Sequence, residues 1–186
     1  MMKRFLVFAL AVLTVCSLFA CSGNNGEVVV EDGLKLAGRQ AGNEAVYYTF
    51  TYPEEWSMIR NDGVIELQYD CNQSDMVAEF ATITTLVFQL SENGMGAKDY
   101  WASQKPEHEG LFQEYKDLDE KETELGGTVA LKVKYSGKMN GRTYVSEQII
   151  CCRGSEVYLV TLVAPADYHD SVSNALEEVR KNFKYE

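Results

Sequence analysis

The clearest pattern along the chain is a pair of β-branched and aromatic runs within residues 143–165. A short polar break containing Gly154 separates the two runs, and this arrangement predicts a β-hairpin. The second run, residues 157–164, has apolar or Thr side chains at every position and therefore on both faces of the strand. Strands buried on both faces have this pattern, so we expect the sheet to be covered on each side.

Period-two alternation predicts further strands at residues 47–52, 64–71, 80–90 and 129–136. In the 64–71 segment, Ile65, Leu67, Tyr69 and Cys71 share one face, which we expect to be the core side. In the 80–90 segment, apolar residues occupy both faces, because Ile83 and Val87 lie opposite Phe80, Leu86, Phe88 and Leu90. The 129–136 segment places Lys132 and Lys134 on a face that is expected to be wet.

Helical spacing is found in two places. Residues 97–104 predict a helix anchored by Tyr100 and Trp101, and Pro106 is expected to end it. The last element begins near Asp167, a candidate N-cap, and its apolar residues recur at helical spacing. They are Tyr168, Val172, Ala175, Leu176, Val179 and Phe183. Two segments fit more than one structure. Residues 116–124 predict a solvated edge strand or a loop, and residues 27–43 predict a leader strand or a loop.

The N-terminus has the pattern of a secretory signal. Lys3 and Arg4 precede an apolar run at residues 5–15, which is shorter than the roughly 20 residues that a membrane-spanning helix needs. Residues 18–21, Leu-Phe-Ala-Cys, resemble a bacterial lipobox, although Phe19 is bulkier than is usual at its position. The resemblance implies that Cys21 carries acyl chains such as palmitate, becomes the new N-terminus and anchors the protein; an ordinary cleaved signal is the alternative. The polar residues 22–26 are expected to form a flexible tether.

Length and charge narrow the functional classes. The 186 residues fit one domain, and 46% of them are hydrophobic, which is enough for a core. The net charge is −11, and it is −13 without Lys3 and Arg4. Nucleic-acid binding requires a basic face, so nucleic acid is not expected as a partner, and an anionic lipid surface is disfavoured for the same reason.

Three cysteines remain after the signal and Cys21 are set aside: Cys71, Cys151 and Cys152. An extracytoplasmic location permits a disulfide, and Cys71 paired with Cys151 or Cys152 would close a loop of about 80 residues and contribute about 4 kcal/mol. A Cys151–Cys152 bond is disfavoured, because adjacent Cα atoms are only about 3.8 Å apart. Free buried thiols and thiol or redox chemistry are the alternatives.

Three motifs resemble the PsbP and Mog-like superfamily. Residues 48–56, Tyr-Thr-Phe-Thr-Tyr-Pro-Glu-Glu-Trp, resemble its opening aromatic strand, Tyr-Pro and Trp. Residues 125–130, Leu-Gly-Gly-Thr-Val-Ala, resemble its turn into a central hairpin, and Asn182-Phe183 resembles the end of its closing helix. The family includes extrinsic proteins of photosystem II, a Ran-GTPase-binding protein and bacterial lipoproteins of unknown role.

The resemblance implies a fold of the α+β class, an antiparallel β-sheet covered by helices on both faces in an α/β/α sandwich. It also implies a role in binding or assembly without catalysis. The predicted organisation is a lipoprotein signal peptide at residues 1–20, a lipidated cysteine and tether at 21–44, and one PsbP/Mog-like domain at 45–186.

Candidate chemical sites are weak throughout the sequence. Residues 70–75 alternate oxygen ligands as a calcium loop does, but Asp75 stands where that loop needs Gly. The acidic run at 117–124 and His108 between Glu107 and Glu109 are better explained as surface features. Trp56 is expected to pack in the core, and Trp101 is more open to binding a ligand. His169 has no evident partner.

We therefore expect a non-catalytic, lipid-anchored extracytoplasmic module on a bacterial membrane, with no cofactor or metal and with a protein or small molecule as partner. The alternatives are a thiol-active protein that uses Cys151 and Cys152, a lipoprotein that binds a small ligand, and a hydrolase whose site has no sequence motif.

Overall fold

The structure, a computed structural model, describes residues 29–31, 34–40, 47–61, 64–72, 79–90 and 94–185. The predicted signal peptide and Cys21 lie outside these residues. The strands are β1 (Val29–Glu31), β2 (Leu34–Gln40), β3 (Tyr47–Thr51), β4 (Ser57–Asn61), β5 (Val64–Asp70), β6 (Phe80–Gln89), β7 (Gln113–Leu125), β8 (Thr128–Met139), β9 (Arg142–Arg153), β10 (Glu156–Pro165) and β11 (Lys184–Tyr185). The helices are α1 (Ala97–Leu111) and α2 (His169–Asn182).

A seven-stranded antiparallel sheet forms the centre of the fold, in the order β4-β5-β6-β10-β9-β8-β7. The predicted hairpin is confirmed as β9 and β10, which pair from Tyr144 with Pro165 to Arg153 with Glu156. Gly154 has φ +62° in the turn between them, a conformation that favours glycine. A second, four-stranded sheet has the order β1-β2-β3-β11, so strands β1 and β2 lie within the range predicted as tether.

One face of the central sheet builds the first core, which α2 and the four-stranded sheet cover. Tyr48 of β3 contacts Tyr158 of β10 and stacks on Phe183, with ring centroids 6.4 and 5.2 Å away. The predicted apolar face of α2 is confirmed, because Val172, Ala175, Leu176 and Val179 are all buried in this core. Ile65 and Leu67 of β5 point into it, as the alternation predicts.

The opposite face builds the second core under α1. Tyr100 and Trp101 pack there on Leu131, Val133 and Ile150 from the central sheet. Leu86, Phe88 and Leu90 lie at the edge of the same core, whereas Ile83 and Val87 belong to the first core. The prediction that the 80–90 strand has apolar contacts on both faces is therefore confirmed.

The α/β/α sandwich with helices covering both faces is a wrong prediction. The described residues form eleven strands and two helices, so the fold is mostly β. The first face is covered by one helix together with a second sheet, and the other face carries one 15-residue helix, which packs on β7, β8 and β9. The sequence of a strand that is buried on both faces indicates that apolar residues cover each face, but it does not indicate whether a helix or a second sheet supplies them.

Two helix boundaries also differ from expectation. Helix α1 continues through Pro106 to Leu111, because His108 beyond the proline is buried against the same sheet as Tyr100 and Trp101. Helix α2 begins after Tyr168 without a side-chain cap. The expected cap, Asp167, lies instead 3.2 Å from the Arg142 guanidinium.

The charged segment at 116–124 is an edge strand, since it lies within β7, and β7 pairs with β8 alone among the strands that the structure describes. Neither described helix has the length and apolar composition needed to cross a membrane.

Candidate functional site

A surface groove of about 610 Å³ lies between the β3–β4 connection and helix α2. It has the size of a site for a small molecule or a short chain segment. Eleven residues line it: Tyr52, Pro53, Glu54, Glu55, Trp56, Tyr69, Ser171, Val172, Asn174, Ala175 and Glu178. The groove therefore combines the end of β5, the Tyr-Pro-x-x-Trp motif and the first three turns of helix α2.

The floor of the groove is aromatic. Strand β3 ends at Thr51, and the Pro53 carbonyl accepts a hydrogen bond from the Trp56 backbone N–H at 3.1 Å, which closes a tight turn. The turn directs Trp56 into the first core, where its ring stacks on Tyr69 at a centroid distance of 5.6 Å. Trp56 and Tyr52 are buried, burial raises the pKa of Tyr52, and Tyr69 is half-exposed. The prediction that Trp56 packs in the core is confirmed.

The rim of the groove is polar and acidic. Glu54 and Glu55 lie exposed on the turn, on one side of the opening. On the other side, Ser171, Asn174 and Glu178 follow one another at intervals of three and four residues, so they form a ridge along one face of α2. Among the lining residues that the structure describes there are three carboxylates and no Lys or Arg.

The described lining of the groove shows no paired nucleophile and base. It contains no His or Cys, and the Ser171 hydroxyl donates to the Tyr168 carbonyl at 2.7 Å rather than to a base. Across the described ranges, no three His, Cys, Asp or Glu side chains are arranged to hold a metal ion.

A second charged cluster is buried between the central sheet and α2. Glu147 of β9 forms an ion pair with Lys132, and its other carboxylate oxygen lies 3.1 Å from His169 Nε2 and 3.4 Å from Lys134 Nζ. Lys132 also pairs with Glu177 of α2 at 2.9 Å. Burial alone would raise the pKa of Glu147, but His169 and Lys132 together lower it to about 2.

This cluster holds α2 on the sheet, because its charges pair with one another across three elements. Burial would lower the pKa of Lys132, yet hydrogen bonds to Glu147 and Glu177 raise it. The sequence pattern did not predict the cluster, because the alternation places Lys132 and Lys134 on a face expected to be exposed to solvent. Their shared face with buried Ala130 was the signal that they point toward the first core.

The three candidate cysteines are free thiols, and they do not form one shared site. Cys151 is buried in the first core, where the Tyr185 hydroxyl lies 3.1 Å from its sulfur, and Cys152 is half-buried at the second core. Burial raises the pKa of Cys71 and Cys151, and it raises that of Cys152 to about 11. Such thiols are mostly protonated at neutral pH and are poor nucleophiles.

His108 is a core residue rather than a surface feature. Its Nδ1 lies 3.2 Å from the Tyr135 hydroxyl, and its ring contacts Trp101 at a centroid distance of 5.2 Å. Burial lowers its pKa to about 4, so the ring is neutral at physiological pH. Trp101 is itself buried beneath α1, and the idea that it is open to a ligand is therefore wrong.

Solved structures similar to this chain include LpqN of Mycobacterium tuberculosis, a protein involved in cell envelope biogenesis, with 15% identity, a TM-score of 0.63, and coverage of 83% of this chain and 92% of LpqN. A protein of unknown function from Pseudomonas aeruginosa has 17% identity and a TM-score of 0.53, and the match covers 76% of this chain and 91% of the Pseudomonas protein. Cyanobacterial PsbP (CyanoP) from Synechocystis has 14% identity and a TM-score of 0.49, and the match covers 91% of this chain and 99% of CyanoP.

At these identities the first two structures show a shared fold and nothing further. No model of a known protein family matches the chain, and no curated protein matches its sequence.

Proposed function

We propose that this chain is a non-catalytic binding or assembly module of a bacterial cell envelope, of PsbP-like type, and that the groove between the β3–β4 connection and α2 is its binding site. The groove itself carries the proposal. It is an open site with an aromatic floor and polar groups converging from a loop and a helix, and none of the described residues in its lining is a His or Cys.

The location outside the cytoplasm is supported by the signal sequence and the lipobox-like residues 18–21. Lipid on Cys21 would hold the domain at a membrane and keep the groove outside the cytoplasm. The role of LpqN in cell envelope biogenesis agrees with such a setting.

The thiol alternative has less support. Cys151 and Cys152 point to opposite faces of the sheet, and burial raises the pKa of both. A pair of thiols that acts cooperatively needs both sulfurs on one side and at least one stabilised thiolate.

Site-specific photocrosslinking in intact cells tests the groove. The crosslinking amino acid p-benzoylphenylalanine replaces Asn174, which is exposed on the rim, and in a control protein it replaces Lys181, which is exposed on the same helix but does not line the groove. We expect a discrete crosslinked species from position 174 that is absent from position 181. The same species at both positions, or none at either, refutes the groove as a binding site.

The anchor is tested separately. Cys21→Ala is expected to move the protein from the membrane fraction to the soluble fraction. Membrane attachment that survives the substitution refutes lipidation at Cys21 and leaves the groove proposal unaffected.

A further inference from the structure

We propose that the groove binds a basic segment of a partner protein, with a Lys or Arg side chain seated between the aromatic floor and the acidic rim. The inference rests on the proposed function and identifies the chemistry of the occupant. Its first basis is charge: the described residues that line the groove include three carboxylates and no Lys or Arg, on a chain whose net charge is −11.

The aromatic floor favours the same kind of ligand. Tyr69 is half-exposed at the base of the groove and stacks on Trp56, so one aromatic ring is fixed in place and accessible. An ammonium or guanidinium group within about 6 Å of an aromatic ring is attracted by the ring's negative face. Carboxylates around the opening attract the same group, whereas both features repel phosphate and other anions.

The shape of the groove favours a segment of protein chain over a compact amine. Ser171, Asn174 and Glu178 form its helical side, and seven residues of helix extend over about 10 Å. An extended chain advances about 3.3 Å per residue, so this ridge matches about three residues of a bound segment. Ser171 and Asn174 then offer side-chain hydrogen-bonding groups beside the charged position.

The first test measures binding of a defined probe. The probe is a mixture of acetylated pentapeptides with two Arg or Lys residues among Gly, Ser and Tyr, and its counterpart carries Glu in place of the basic residues. The full-length lipidated protein in detergent micelles is compared with the double variant Glu55→Gln, Glu178→Gln. The matched control is Glu107→Gln, Glu109→Gln, which removes the same charge from exposed positions of α1.

We expect the basic mixture to bind the unaltered protein and the control alike, and to bind the groove variant about tenfold more weakly, since surface charge pairs each contribute modestly. Circular dichroism and the melting temperature confirm that both variants are folded. Equal binding to all three proteins, no binding of the basic mixture, or equal binding of the acidic mixture overturns the proposal.

The second test identifies the occupant in the cell. Photocrosslinking from position 174 is repeated with Glu55→Gln, Glu178→Gln in the same chain, and the crosslinked species is analysed by mass spectrometry. A polypeptide linked through a segment that contains Lys or Arg, and lost in the double variant, supports the proposal. A small amine, a glycan, or a polypeptide whose crosslinking does not depend on the two carboxylates overturns it while leaving the groove established as a binding site.

Discussion

The buried carboxylate of Glu147 is expected to be a large single contributor to stability, and Glu147→Gln tests this. The pKa of Glu147 is lowered from 4.5 to about 2, which corresponds to about 3 kcal/mol of stability at neutral pH. Removing one member of a buried ion pair costs roughly 3–5 kcal/mol, which agrees with this value. The variant keeps the shape of the side chain but leaves Lys134 and His169 without their carboxylate.

The pH dependence gives the test its direction. The folded-state pKa is below the unfolded-state value, so the contribution is complete above pH 4.5 and is lost as the pH falls toward 2. Urea unfolding followed by circular dichroism should therefore show a gap of about 3 kcal/mol between the two proteins at pH 7, and the gap should close near pH 2. Glu114→Gln, which removes an exposed partner of Lys138, is the control and is expected to leave the urea midpoint unchanged.

Equal stability of Glu147→Gln and the unaltered protein at pH 7 would contradict this reasoning. A gap that stays constant from pH 7 to pH 2 would also contradict it, because the loss would then arise from packing rather than from charge.

Three further predictions follow from other positions. The pKa of buried His108 is lowered to about 4, so the unfolded chain binds the proton first; stability should fall by about 3 kcal/mol as the pH drops from 6.5 to 4, and His108→Gln should remove this decline in urea titrations. Gly126→Ala should lower the melting temperature more than Gly127→Ala: both glycines have positive φ, but only at Gly126 would a Cβ atom lie 2.5 Å from the Tyr185 ring, and equal losses would mean that the ring moves freely. Cys152, with a pKa of about 11, should react with a thiol reagent at pH 8 far more slowly in the native protein than in urea, and a fast native reaction would restore the thiol hypothesis.

Local patterns in the sequence predicted the local elements. The alternation of Ile65 and Leu67 and the helical spacing of Val172, Leu176 and Val179 each follow from the geometry of one strand or one helix. These residues lie within a few positions of one another, so their shared face can be recognised without knowing the rest of the fold.

Features made by distant residues were not predictable in this way. Lys132 and Lys134 alternate as a wet face does, and only Glu147 and His169 from other elements make that face a buried charged one. The groove likewise needs α2 to meet the Tyr-Pro-x-x-Trp turn, and neither segment alone indicates a cavity. The cover of the sheet was assigned to helices because apolar burial does not distinguish a helix from a second sheet.

The exposed edge of β7 has a consequence for how copies of the protein behave together. The outer edge of this 13-residue strand, which pairs with no other described strand than β8, could pair with the same edge of another molecule, yet β7 carries Asp119, Glu120, Glu122 and Glu124 along its length. Two molecules that meet edge to edge would bring these carboxylates into register across a few ångströms. Molecules crowded on a surface should therefore stay apart rather than join their sheets into fibres. Electrostatic repulsion between the β7 carboxylates should set the distance between them, and added salt should shorten that distance.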